Sequence, residues 1–227
     1  MNQLFKKTVI LFALLGYCWI TKAQVNSDYL EPARGTFEVS DSSLEYYSIV
    51  RKLLFDGLSD NPEIRFLEMP SFTPESVLDI EFDRAKSEYF MSYRISEQNI
   101  WYAPNRKEVK VEKFRIEIEK KSVELLKTLF YIATSQVKYP PPIINEDGSL
   151  TVARSFDGTS YYFTTNQYYK IRTGMTHSPS KGSKMHKLVN VGYKLVELAK
   201  SDKGFVGFDD AFQREIKELI KELTINQ

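Results

Sequence analysis

The chain has 227 residues, with 31 basic and 30 acidic side chains, two histidines, one cysteine, 42% hydrophobic residues and 14% aromatic residues. So even a charge balance gives none of the overall basic excess by which nucleic-acid or anionic-lipid binders are recognised. A single cysteine excludes an intrachain disulfide and a multi-thiolate metal site.

Residues 1–23 read as a secretory signal. Lys6 and Lys7 supply a positive start, Val9 to Ile20 form the apolar run, and Thr21-Lys22-Ala23 places a small residue before a cleavage point at Gln24. The run is shorter than the ~20 apolar residues that span a bilayer, so cleavage, export to the periplasm or beyond, and no stable membrane insertion afterwards are expected. Cleavage removes three lysines and Cys18, leaving 204 residues with 28 basic and 30 acidic groups and no thiol. Tyr17 between Gly16 and Cys18 argues against a lipoprotein, which needs a small residue directly before the acylated cysteine. Residues 24–40, with Pro32 and Gly35 and no periodicity, read as an irregular leader, and 41–227 as one globular domain.

The first predicted helix starts at the capping-box spacing Ser42-x-x-Glu45, places Leu44, Tyr47, Val50, Leu53 and Leu54 on one face, and stops at Gly57. From Glu63 to Glu119 the period changes to two, predicting antiparallel strands with one wet face. Ile80 and Phe82 alternate with Asp79, Glu81 and Asp83, and Tyr89, Met91, Tyr93 and Ile95 alternate with Ser92 and Arg94. Residues 83–87 suit a hairpin connection, and Ile100 to Tyr102 reads as a strand ended by Pro104. In the segment 109–119, Val109 and Val111 differ in parity from Phe114, Ile116 and Ile118, which predicts a β-bulge near Glu112 and Lys113 or a twisting edge strand.

Residues 122–137 predict a largely buried helix, stopped by Pro140-Pro141-Pro142 and followed by a polar turn at 145–148. Strands are then predicted at 150–154, 159–165 and 168–173, the first pair turning at Phe156-Asp157-Gly158. Two amphipathic helices, 185–200 and 209–223, close the chain, the second capped by Asp209. The expected class is α+β, an antiparallel sheet or sheets packed against about four helices.

The residues Asp157-Gly158-Thr159-Ser160-Tyr161-Tyr162-Phe163, followed by Ser178-Pro179-Ser180-Lys181-Gly182-Ser183 and a helix bearing Leu188 and Leu195, resemble a pattern in uncharacterised secreted bacterial proteins. The resemblance covers about a quarter of the chain. It implies a bacterial envelope protein and brings no activity, substrate or catalytic residue with it.

The densest polar stretch, 172–187, holds both histidines and supplies the first candidate site: Arg172, His177, Lys181, Gly182 and Ser183, with a helix start at Gly182-Ser183 whose free amides would favour a small anion. The competing reading is that Ser180 or Ser183 caps its own helix. An enzyme can be assembled from Ser178 or Ser183, His177 or His186, and Asp157 or Asp209, but no G-x-S-x-G or H-E-x-x-H motif supports it. Asp79, Glu81 and Asp83 could serve a glycosidase or calcium, although alternating acids on a strand are commonly its solvated face, neutralised here by Arg94 or Lys110. No metal and no cofactor are expected.

Tyr161-Tyr162 and Tyr168-Tyr169 each send one ring to either side of a sheet, which predicts one exposed member per pair. Tyr162 and Tyr169 are therefore the candidate anchors for a partner, since tyrosine combines apolar area with a hydroxyl. The expected function is an exported, non-enzymatic binding protein that engages a protein partner, an inhibitor or immunity-like role being one version. The alternatives are a small envelope hydrolase with a Ser/His constellation, or a binder of small anions or glycans. Oligomeric state has no sequence signal.

Overall fold

The computed structural model describes residues 28–33, 41–151, 157–167 and 170–225. The signal, residues 34–40 and the pair Tyr168-Tyr169 lie outside the described residues. In chain order the elements are β1 (Glu31–Pro32), α1 (Asp41–Leu54), β2 (Ile64–Pro70), β3 (Ser76–Asp83), β4 (Glu88–Ser96), β5 (Val111–Ile118), α2 (Lys120–Ser135), β6 (Ile143–Ile144), β7 (Leu150–Thr151), β8 (Thr159–Gln167), β9 (Lys170–His177), α3 (Lys184–Ala199), β10 (Phe205–Val206) and α4 (Asp210–Thr224).

Eight strands form one sheet in the order β1-β9-β8-β2-β3-β4-β5-β10, antiparallel except for the parallel pairing of β10 with β5. The expected α+β architecture is observed, with four helices around a mostly antiparallel sheet. Both outermost strands are two residues long, which shortens the unpaired edge that another chain could extend.

Two hydrophobic cores lie on opposite faces of this sheet. On one face Ile64, Phe66, Leu78, Ile80, Met91, Tyr93, Ile116, Ile118 and Phe163 pack against α2, α3 and α4. There α3 comes so close that a Cβ on Gly192 would stand 2.6 Å from the Phe66 ring, so glycine is needed for contact rather than for flexibility. On the other face Leu67, Val77, Tyr162 and Met175 pack against Tyr46, Ile49, Val50 and Leu54 of α1 and against Ile100, Ala103 and Val109 of the β4–β5 connection.

The second core corrects two expectations. The face carrying Asp79 is wet only away from the second core, where Glu81 and Asp83 are half-buried and Lys113 and Arg115 exposed: Asp79 itself has no solvent exposure and receives Arg65 Nε at 2.7 Å and Arg65 Nη2 at 2.5 Å, while Arg65 lies over the Phe55 ring. Of Arg94 and Lys110, expected to neutralise the strand acids, Arg94 does lie close enough for its charge to act on Asp79 and Glu81, while its hydrogen bonds go to the carbonyls of Leu54 and Asp56 at the end of α1, and Arg115 pairs with Asp83. No bulge interrupts β5, because its register runs unbroken from Ser96↔Val111 to Tyr89↔Ile118. Val109 and Val111 change parity since they belong to the second core while Phe114, Ile116 and Ile118 belong to the first.

Other differences are local. Ile100 to Tyr102 is a turn, and the Ile100 amide finds a side-chain acceptor instead of a strand partner. α1 begins at Asp41, which places Ser42 inside the helix rather than at its cap, and its buried face includes Tyr46 and Ile49. Gly57 stops it with φ +73°. Leu150–Thr151 pairs with Ile143–Ile144 in a separate hairpin rather than with β8, whose hairpin partner is β9. The expected turn at 83–87 forms, with Asp83 Oδ1 accepting from the amides of Ala85 and Lys86. Asp209 caps α4 through the Phe212 amide at 2.7 Å, as the sequence predicts.

Burial predicts how unequal the ion pairs are. Asp79→Ala strands the Arg65 guanidinium in the interior and should lower the unfolding free energy by about 3–5 kcal/mol. Asp60→Ala, which breaks the exposed pair with Arg51, should change it by less than ~1 kcal/mol. Urea unfolding of the two variants checks this contrast.

Candidate functional site

A cavity of about 310 Å³ opens on the α1 face of the sheet, lined by Tyr46, Tyr47, Met69, Pro70, Ser71, Trp101, Tyr102, Asp157, Ser160 and Tyr162. Each wall has a local cause. Consecutive tyrosines on α1 diverge by about 100°, so Tyr46 turns into the core, with 8% exposure, while Tyr47 stays half-buried, their rings 5.2 Å apart. Met69 and Pro70 end β2, and the Ser71 amide donates to the Gly158 carbonyl at 2.8 Å, joining that strand end to the turn before β8. Trp101 and Tyr102 stand at the mouth, 41% and 60% exposed, on the turn that replaces the predicted strand.

This turn and α1 are held by Glu75, a carboxylate without solvent exposure. It accepts from the Tyr46 hydroxyl at 2.7 Å, the Ile100 amide at 2.8 Å and the Ser96 hydroxyl at 3.2 Å. Asn99 adds a brace by donating to the Thr73 carbonyl at 2.8 Å. At the rim, Trp101 meets the Tyr46 ring edge-on with centroids 5.1 Å apart, Arg106 lies over the indole, and Tyr102 stacks with Phe72 at 6.1 Å.

Tyr162 forms part of the floor with 7% exposure, and burial, reinforced by neighbouring Tyr47, pushes its ionisation up to about 12. Burial and the Glu75 carboxylate raise Tyr46 further still. Both phenols therefore stay neutral and can donate.

Beside the floor, Ser160 and His177 face each other across β8 and β9. Ser160 Oγ is 3.0 Å from His177 Nδ1, and His177 Nε2 is 2.9 Å from the Asp157 carbonyl. A carbonyl only accepts, so Nε2 carries the proton; in the neutral ring Nδ1 is left as an acceptor for the serine hydroxyl. The turn under this contact requires Gly158, at φ +126°, because a Cβ there would stand 2.1 Å from Ser178 Oγ and 3.0 Å from His177 Nε2.

The residues grouped by sequence are dispersed. Arg172 and His177 both lie on β9 but on opposite faces, Arg172 over the Tyr131 ring of α2 and His177 beside the cavity. Lys181 and Gly182 form the exposed turn into α3, and Ser183 caps that helix by accepting from the His186 amide at 3.1 Å. The anion expected there comes from the chain itself, since Asp28 accepts from the Lys184 amide at 3.3 Å. His186 lies near the Asn190 amide, and Ser178 accepts from the Thr159 amide, so neither forms the proposed triad. Tyr161 and Tyr162 are both buried, against the expectation of one exposed ring, because both sheet faces are covered. Tyr169 lies outside the described residues. Among the described residues no group of three His, Cys, Asp or Glu could hold a metal, and no helix is long and apolar enough to cross a membrane.

The cavity residues Tyr46, Tyr47, Trp101 and Tyr102 were not proposed as site residues from the sequence, although the Tyr46-Tyr47 and Trp101-Tyr102 pairs carried a signal. Adjacent aromatics cannot both turn inward on a helix or short turn. Comparison with protein-family models, curated proteins and solved structures finds no match for the chain.

Two outcomes follow for the tyrosines and their anchor. In an absorbance titration Tyr46 and Tyr162 should stay un-ionised at pH 10 and ionise only at higher pH. Their burial therefore stabilises the fold fully below pH 10, and that contribution declines as pH rises towards 12. Glu75→Ala, which leaves buried donors unmatched, should cost about 2–5 kcal/mol in urea unfolding and raise the fluorescence quenching of Trp101 by iodide.

Proposed function

We propose that the chain is an exported binding protein that takes a neutral sugar unit of an envelope glycan into the aromatic cavity. The observation that carries this reading is the composition of the lining: five aromatic side chains, the hydroxyls of Ser71 and Ser160, one carboxylate at Asp157 and, among the described residues, no lysine or arginine. Aromatic rings offer apolar faces to the C–H groups of a pyranose while hydroxyls satisfy its edge, and the rim guanidinium of Arg106 is engaged by the Trp101 ring and carbonyl. The volume sits at the small end of the ~300–1,000 Å³ typical of small-molecule sites, which suits one or two sugar rings rather than a long chain. The buried Glu75 anchor supports it too, because a pre-ordered pocket spends less entropy on binding.

A protein partner remains the second reading, favoured by the Phe72–Tyr102 stack, where Phe72 is 65% exposed beyond the cavity mouth. Export rests on the signal-like first 23 residues.

Titration of the purified protein with a panel of neutral oligosaccharides, followed by tryptophan fluorescence and calorimetry, is the test. Saturable binding should weaken about 3- to 10-fold in Trp101→Ala and in Tyr102→Ala, the equivalent of ~0.5–1.5 kcal/mol for each aromatic contact. Phe205→Ala, at an exposed aromatic on the outermost strand β10, should leave sugar affinity unchanged. No saturable binding to any sugar, or binding indifferent to Trp101 and Tyr102, removes the glycan reading.

A further inference from the structure

We propose that Ser160 and His177 form a catalytic pair that hydrolyses small acyl esters of sugar hydroxyls held in the aromatic cavity. The substrate class rests on the glycan reading above; the catalytic pair rests on its own geometry.

A serine hydroxyl reacts as a nucleophile only when a neighbouring base can take its proton, and the base must be held in the correct tautomer. Both conditions are met across one strand pair. His177 Nε2 is committed to the Asp157 carbonyl at 2.9 Å, which leaves Nδ1 as acceptor, and Ser160 Oγ lies 3.0 Å from it. The carbonyl takes the orienting role that a carboxylate plays in a full triad. Its place is set by the Gly158 turn, which the Ser71 amide clamps through the Gly158 carbonyl and which tolerates no side chain against Ser178 and His177.

Ser160 also lines the cavity, whereas Ser178 and Ser183 are used as local acceptors for backbone amides. Tyr162, two residues along β8 from Ser160 on the same face of the strand, lines the same cavity, and its phenol is the donor assigned to negative charge developing on an ester carbonyl. Met69 and Pro70 supply an apolar wall for a short acyl group.

The chemistry closes with water as the only co-substrate. Ser160 Oγ attacks the ester carbonyl carbon as its proton passes to His177 Nδ1, and the carbonyl π bond opens to an oxyanion facing Tyr162. Collapse breaks the bond to the sugar oxygen, which takes the proton from Nδ1 and leaves as the alcohol, with the acyl group on Ser160. Water attacks this acyl-enzyme, Nδ1 again receives and returns a proton, and the carboxylic acid departs with Ser160 restored.

The test treats the purified protein with a fluorophosphonate, which traps activated serines, and maps the adduct by mass spectrometry, alongside hydrolysis of p-nitrophenyl acetate and of an O-acetylated monosaccharide. The proposal expects one adduct per chain at Ser160, no adduct in Ser160→Ala, and labelling and hydrolysis slowed about a hundredfold or more in His177→Gln. A protein that resists labelling, an adduct at a different serine, or equal rates in wild type and His177→Gln overturns it. Peptide mapping of the wild type decides the matter even where a variant fails to fold.

Sugar titration separates the two readings. Binding without Ser160 labelling overturns the catalytic pair alone; Ser160 labelling with turnover of p-nitrophenyl acetate but no sugar binding or sugar-ester turnover overturns the substrate class and leaves the pair standing.

Discussion

Glu75 sits at the junction of four parts of the chain, and the cavity depends on how its charge is accommodated. Its carboxylate has no solvent exposure, and the donors that hold it are neutral: the Tyr46 hydroxyl from α1, the Ile100 amide from the β4–β5 connection and the Ser96 hydroxyl from the end of β4. A buried carboxylate is tolerated only when its lone pairs are satisfied, so each donor is obligatory and each brings its own segment to the same point. The Glu75 backbone takes part as well, its carbonyl accepting from the Ser96 amide and hydroxyl. The result is a polar knot beneath an aromatic cavity.

That knot explains why a non-regular segment can line a site. Residues 97–110 have few ladder partners, and such a connection would ordinarily be mobile. Here Ile100, Ala103 and Val109 are buried in the second core, Asn99 braces the carbonyl of Thr73, and Trp101 and Tyr102 are left at the mouth. The segment behaves as a wall. The same logic holds on the opposite wall, where a glycine turn, the Ser160–His177 contact and the Ser71–Gly158 backbone bond bind three chain segments together.

The sheet divides the molecule into two cores of unequal size, and the division assigns different work to each face. The larger core beneath α2, α3 and α4 carries most of the aliphatic burial. The smaller one carries the buried charges, Glu75 and the Asp79–Arg65 pair, together with the cavity. Buried ionic groups stabilise little against a hydrophobic replacement but penalise alternative arrangements heavily, which fits a face that must keep a concave shape rather than collapse.

Local pattern by itself determined the helices at 120–135, 184–199 and 210–224, the Asp209 cap and the antiparallel run from β2 to β5, because hydrophobic period and capping chemistry act over a few residues. It also contained the fold class. What it did not contain was the second core. Alternation along β3 looked like one wet face because Asp79 is charged, and only the three-dimensional placement of Arg65 reveals that this charge is buried. The parity change at Val109 and Val111 had the same cause, as did the burial of both Tyr161 and Tyr162.

Of the residues proposed from the sequence, His177 from the polar stretch and Tyr162 from the tyrosine pairs stand at the cavity. Arg172, Lys181, Gly182 and Ser183 are taken away by strand alternation and helix capping. Ser160, Trp101 and the two α1 tyrosines join the site from positions up to 114 residues apart. Neighbours in space at such separations are chosen by strand order and register, which are properties of the folded sheet and not of any local window of residues.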